Sequence, residues 1–263
     1  MDGELARLLA VVTHVNVWLE NPHGDPPDLF AGNTTFRFVK EMRFELRKRL
    51  RTVTWDTTQD WIEGLRYRQI ERLLLGARTW RNPDLANIGA AGPGRGAIFT
   101  RGSVRPEAWA SYSETMWDPT TDYPPDRRIW RVTYRGVTAR TPTAPAPATL
   151  ARSLGELLAA LEEIRLFAID QGMDEWAEWF EQAIQLARSD DPEIPYHPDA
   201  IPSDASLERR RVAAAAFQAW VFGGMGSWND KYLTDPAAVQ RDGVVSERLY
   251  GAILGCLDAV ANA

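Results

Sequence analysis

The densest run of chemically capable residues is Gly223-Gly224-Met225-Gly226-Ser227-Trp228-Asn229-Asp230, which follows a helical stretch directly. Its three glycines allow positive φ and close backbone approach. Ser227, Asn229 and Asp230 then set three short polar side chains beside an indole. Such a string can serve as a binding loop, its backbone N–H groups and polar tips meeting a partner while Trp228 anchors the contact. On that reading Trp228→Ala weakens binding and leaves the fold intact. The same residues also suit a helix C-cap and a tight turn, with Trp228 plugging a bundle. All eight are candidate partner-binding residues, and no residue qualifies as catalytic or metal-ligating.

Elsewhere the residue types are present but the spacing is not. The glycine-rich stretch 89–96, GAAGPGRG, lacks the Lys-Ser/Thr ending of a phosphate loop, a preceding strand and the dinucleotide fingerprint. It reads as a plain flexible loop. His14, His23 and His197 show no ligand spacing, and Glu162-Glu163 and Glu178/Glu181 lack the Glu-x-x-His pattern of di-metal bundles. The single cysteine, Cys256, excludes an intramolecular disulfide and a Cys-based zinc site. It shares a helical face with Leu249, Ile253 and Val260, as a core residue would. No cofactor or metal is expected. Arg37, Lys40, Arg43, Arg47, Lys48, Arg49 and Arg51 form a basic run that could meet phosphates or an acidic surface. The chain's net charge of −6 argues against nucleic acid.

These candidates must be positioned by local structure. Leu5, Leu8, Leu9, Val12 and Val15 predict a helix over 3–20. Phe36, Val39, Met42, Leu46 and Leu50 predict a second, capped by Thr34 or Thr35. Trp61, Ile62, Leu65, Ile70, Leu73 and Leu74 predict a third from Thr57 or Thr58. Residues 97–100 and 128–135 read as strands that could pair, with a short helix over 107–117 between them. Residues 139–148 are a Pro/Ala linker. Beyond it, Ser153 to Glu156 fits a capping box and Gly172 a left-handed helix stop. Four helices are expected beyond the linker, the last over about 244–260. The expected fold is therefore mainly α. It comprises a helical region with a small β element (1–138), the linker (139–148) and an acidic, four-helix bundle-like domain (149–263).

Charge divides the same way. Residues 1–148 carry 21 Lys+Arg against 17 Asp+Glu, a balance of +4, and residues 149–263 carry 9 against 19, a balance of −10. Either the halves dock on each other, or the acidic half faces a basic partner. The start of the chain has an acidic flank where a secretory signal would be basic, and no apolar run approaches the ~20 residues of a membrane span. A cytoplasmic protein is expected.

The order GGMGSWND, a variable loop, then the amphipathic VVSERLYGAILGCLDAVANA resembles the C-terminus of small helical bacterial proteins of the kind that accompany polymorphic toxins as immunity proteins. The resemblance covers about 115 residues and implies partner binding without a known catalytic site. Tyr134-Arg135-Gly136 resembles the first motif of ADP-ribosyltransferases. A proline linker and helices follow it, in place of that family's Ser-Thr-Ser strand and Glu-x-Glu element, so the match is incidental. The function expected is that of a non-enzymatic, immunity-like protein whose acidic domain sequesters a basic partner such as a toxin. The alternative is an enzyme of unassigned class, working between the halves on an anionic substrate near Arg95, Arg101 and Arg105.

Overall fold

Strands, not helices, occupy most of the first half. The computed structural model describes residues 3–29, 32–48, 50–77, 96–103, 105–138, 148–223 and 226–263. Six strands form one mixed sheet: β1 (Val39–Arg47), β2 (Thr52–Trp55), β3 (Arg72–Gly76), β4 (Ala97–Arg101), β5 (Glu107–Thr115) and β6 (Trp130–Thr138), in the order β2-β1-β6-β5-β4-β3. Six α-helices accompany it among the described residues. They are α1 (Gly3–Glu20), α2 (Thr58–Tyr67), α3 (Leu150–Asp170), α4 (Asp174–Arg188), α5 (Leu207–Gln218) and α6 (Pro236–Asn262). The expectation of a mainly α chain with a small β element and a separate four-helix bundle is thus overturned. The fold is α/β.

The corrections have local causes. Met42, Phe44 and Leu46 fit a two-residue period as well as a helical one, and the strand buries them while turning Arg43, Glu45 and Arg47 to the other face. Leucines 73 and 74 do not extend the preceding helix. That helix stops at Tyr67, and the leucines enter β3, where Leu73 and Leu75 are buried on one face. Residues 107–115 form a strand that stands between β4 and β6, so the two strands expected to pair are not neighbours. The linker residues 139–147 and the loop residues 89–95 lie outside the described residues.

Chain order explains how the sheet closes. The β1–β2 hairpin forms one edge, and α2 then crosses the sheet face to the far edge at β3. An antiparallel meander returns through β4 and β5 to β6, which meets β1 in parallel with Phe44 opposite Tyr134. Under α2 lies an aromatic stack: Phe44 sits 4.1 Å from Trp61 and 4.9 Å from Tyr134, and Trp61 meets Trp109 edge-on at 5.6 Å. Trp109 lies flat over Gly136, where any Cβ would come within 2.6 Å of the indole. A glycine is required at that point of β6.

Helix α1 joins the two halves. Leu5, Ala6, Leu8, Leu9, Ala10, Val11, Val12, Thr13 and Val15 are all fully buried, so the middle turns of this helix are enclosed, while Val17 near its end is exposed. The sheet covers one flank and the C-terminal helices the other, and a single apolar core runs through all three layers. The last four helices are present, but as a layer in that shared core. Thr149, not Ser153, caps α3, accepting from the Arg152 N–H at 3.3 Å, and Ser153 is buried one turn further in. Gly172 does stop α3, with φ at +68°.

The exposed edge of β3 is closed by side chains. Asn16 accepts from the Leu73 N–H at 2.7 Å and donates to its carbonyl at 2.9 Å. Asn262 treats Leu75 in the same way, at 2.8 and 2.9 Å, and Asp258 accepts from the Ala77 N–H at 2.6 Å. Two amides and a carboxylate stand in for a seventh strand, which removes the template that an open edge offers to other chains. Among the described residues no helix is long and apolar enough to cross a membrane.

The turn Pro198–Ala200 docks on α1, with Thr13 Oγ1 donating to the Ala200 carbonyl at 3.0 Å and His14 Nε2 lying 2.9 Å from the Asp199 carbonyl. Burial holds the imidazoles of His14 and His197 below their ordinary value of 6.5, His197 at about 4, with Arg37 and Arg7 adding to the effect on His197. Between pH 6.5 and about 4 the unfolded chain therefore binds protons that the folded chain refuses, and stability is lost as pH falls. Melting temperature should decline through that window, with a shallower decline in His197→Gln. Identical slopes in the two proteins would remove His197 as a cause.

Candidate functional site

Helix α5 ends at Gln218 with Ala219 in right-handed backbone as its C-cap, so the glycines do not cap it; Gly223 and Gly226 adopt φ of +99° and +75° in the loop that follows. Gly224 and Met225 lie outside the described residues. Ser227 then caps a short 3₁₀ turn, Trp228–Asp230. Its hydroxyl accepts from the Asn229 N–H at 3.3 Å, and Asp230 Oδ2 accepts from the Ser227 N–H at 3.0 Å. The polar residues at both ends of this turn are thereby assigned to holding its shape.

Trp228 points inward and is 0% exposed. Its ring meets Phe180 at 5.3 Å, Trp176 at 5.5 Å and Phe167 at 6.2 Å, all edge-on, and its Nε1 donates to Ser246 Oγ at 2.7 Å. Lys231 closes over the opposite side. Its Nζ lies 4.0 Å from the ring centre, donates to the Trp228 carbonyl at 3.0 Å and pairs with Asp242 at 2.8 Å. Burial lowers the Lys231 pKa, with Asp242 opposing the shift. Trp228 is therefore a core plug and not a surface anchor, so its removal tests folding before it tests binding.

What the turn shows to solvent is different. Asn229 and Asp230 are exposed, and the Asn229 side chain makes no hydrogen bond among the described residues. Tyr232 is 89% exposed between two anchored neighbours, Lys231 and the core-packed Leu233. Sequence reasoning stopped at Asp230 and missed it; an isolated tyrosine in a polar loop carries no periodic signal. The contacts of Trp228 with Phe167 and Trp176 place the turn beside the end of α3 and the start of α4. There Asp170, Asp174, Glu175 and Glu178 are exposed, as are Leu166 and Ile169. Arg241 pairs with Asp170 at 2.8 Å and binds the start of α6 to the same end. One end of the helical layer thus carries an anchored turn, with exposed carboxylates on the neighbouring helix ends.

The other candidates are dispersed. The basic run lies on β1 and its flanks, not on a helix. Arg43 pairs with Glu41 at 2.6 Å and lies 3.8 Å from Asp56, while Arg37 stacks on Phe38 at 4.5 Å. Strand β6 adds its own pairs on that face: Arg131 with Glu41 at 2.8 Å and with Glu114 at 3.0 Å, and Arg135 with Glu45 at 3.4 Å. Lys40 reaches a shallow cavity of about 260 Å³ whose walls also carry Asp28, Glu41 and Asp56. Arg101 and Arg105 are exposed; Arg49 and Arg95 lie outside the described residues. Cys256 is buried, 3.3 Å from the Ser153 carbonyl. Among the described residues no three His, Cys, Asp or Glu side chains converge as metal ligands. Comparison of the chain with known protein families, curated proteins and solved structures finds no match.

Proposed function

We propose that the chain is a non-catalytic binding protein that holds a basic protein partner, of toxin type, against the acidic end of its helical layer. The observation that carries this reading is Tyr232, 89% exposed on a turn whose backbone is fixed by Trp228, Lys231 and Asp242. An aromatic side chain on an already anchored backbone leaves less ordering to be done on binding, and its face attracts arginine or lysine. Asp230, Asp174, Glu175 and Glu178 supply the complementary charge within the half that carries −10 overall. Carboxylates at the start of α4 also suit the dipole of that helix. That accounts for Asp174 and Glu175, and the capping bond to the Ser227 N–H accounts for Asp230, but neither accounts for the exposed ring.

Isothermal titration against the basic products of neighbouring genes tests the proposal. Affinity should fall at least about tenfold from low to physiological salt. Tyr232→Ala should weaken binding on the order of 10- to 100-fold without changing the melting temperature. Salt-independent binding, a Tyr232→Ala variant that binds like the parent, or no partner among those products would overturn it.

A further inference from the structure

We infer that the free edge of the sheet, strand β2, is a self-association site that pairs antiparallel with β2 of a second copy of this chain, about a two-fold axis at Val53. β2 has a neighbour on one side only, β1. The hairpin fixes which of its backbone groups face away from β1. Lys48 N–H donates to the Arg51 carbonyl at 2.8 Å, so these two residues form a hydrogen-bonded pair. Such pairs alternate along an antiparallel ladder. In the register Leu46↔Val53 and Phe44↔Trp55, Val53 and Trp55 therefore direct their backbone groups to β1, and Thr52 and Thr54 direct theirs outward. Among the described residues nothing bonds to these outward groups, and both threonine side chains are exposed.

The two edges of the sheet are treated differently. β3 is closed by Asn16, Asn262 and Asp258, and β2 has no such cover among the described residues. Helix α2 leaves the β2 edge clear. It turns in beneath β1, where the Thr58 hydroxyl donates to Met42 Sδ at 3.6 Å. Edge strands are commonly blunted by short length and by flanking charge. At four residues β2 is short, which puts the pairing in the weak, transient class. Its flanking charges, however, select an antiparallel copy instead of repelling it. Arg51 precedes the strand and Asp56 follows it, both exposed. Antiparallel pairing sets each arginine near the partner's Asp56, whereas parallel pairing would set like charge beside like. With Thr52 opposite the partner's Thr54, the outward N–H and C=O groups of both threonines on both chains are paired. The threonine side chains then meet on the outer face, and Val53 meets the partner's Val53 on the inner one. A slip of one residue would oppose inner side chains to outer ones. Leu50, 94% exposed at the hairpin, comes to lie beside the far end of the partner's strand. This edge belongs to the sheet, and the inference does not rest on the proposed partner surface of the helical layer.

Sedimentation velocity on the full chain from about 1 to 500 µM should show a reversible monomer–dimer equilibrium, with a Kd on the order of 10–1,000 µM for so small a contact. Val53→Cys should give a disulfide-linked dimer under mild oxidation, because the axis makes residue 53 and its counterpart a non-hydrogen-bonded pair with Cα atoms about 4.5 Å apart. Thr52→Cys, whose counterpart lies farther along the strand, should not. The native Cys256 is buried and does not compete. Thr54→Pro removes an outward N–H and no bond to β1, and should weaken the dimer about tenfold or more with little change in melting temperature. Should the proline variant fail to fold, charge reversal gives the same answer: Arg51→Glu weakens the dimer, and Arg51→Glu/Asp56→Lys restores it. A parent protein that stays monomeric over the whole range, with no cross-link in Val53→Cys, overturns the inference. So does a dimer that cross-links equally at residues 52 and 53, or one indifferent to both the proline and the charge reversal.

Discussion

Trp228→Ala is expected to destabilise the protein by about 3–5 kcal/mol, the usual cost of truncating a fully buried tryptophan. The ring fills the space between Phe167, Trp176 and Phe180. Two further groups lose their partner. Lys231 no longer has the indole face beneath its ammonium, and Ser246 loses the donor at 2.7 Å. Urea unfolding should show a lower midpoint with an unchanged slope. Trp228→Phe keeps much of the volume and loses the Nε1 hydrogen bond, so its cost should be nearer 1–2 kcal/mol. Tyr232→Ala, four residues on, should lie within about 0.5 kcal/mol of the parent, because its side chain is in solvent. If Trp228→Ala left the midpoint unchanged, the ring would not be the core plug described here.

The contrast between Trp228 and Tyr232 shows what was legible in the chain. The string 223–230 stood out because its residue types are unusual together, and the positive φ at Gly223 and Gly226 and the Ser227–Asp230 capping box account for much of it. Whether its aromatic faced in or out could not be read, because that depends on Phe167, Trp176 and Phe180 arriving from two other helices. Tyr232 is conspicuous only once Lys231 and Leu233 are seen to fix the backbone on either side of it.

Fold class failed for a related reason. Around β1 the apolar positions satisfy both periods, and only the neighbouring strand β6 decides between them, through a parallel register 90 residues away (Glu41↔Arg131). In α1 the expected stripe was real but incomplete. Ala6, Ala10 and Val11 are buried as well, and an enclosed helix between two layers was the sign that the halves share a core. Residue 111 was expected on a helix, where it could not stand opposite Tyr134. The C-terminal helices were legible because their apolar periods are local, although Thr149 and Ala219, not Ser153 and Gly223, stand at the ends expected to carry caps.

Arg68→Met should be the most damaging single change on the sheet side, costing about 3–5 kcal/mol at neutral pH. Arg68 leaves the end of α2 and donates to Glu107 on β5 through Nε at 2.8 Å and Nη2 at 3.3 Å, while its guanidinium stacks on Trp55 at 4.7 Å. Trp109 Nε1 adds a third donor at 3.1 Å. Burial nonetheless dominates: the Glu107 carboxyl, only 4% exposed, is held above its ordinary range, with Arg68 opposing the shift. The sign follows. A carboxyl with a raised folded pKa binds more protons folded than unfolded, so its contribution to stability declines as pH rises through that pKa. Without Arg68 the pKa rises further, and the variant must hold either a buried, poorly compensated charge or a proton that neutral solvent does not favour. The gap between variant and parent should therefore be widest near pH 7 and should narrow as the pH approaches the ordinary carboxylate range, where Glu107 is protonated in both. Comparing the two proteins at each pH cancels the opposing histidine effect. The double variant Arg68→Met/Glu107→Leu should recover most of the loss, since replacing both members of a buried pair by apolar groups is often neutral. A penalty independent of pH, or a double variant no better than the single one, would mean that Arg68 matters for its packing on Trp55 and not for the charge beneath it.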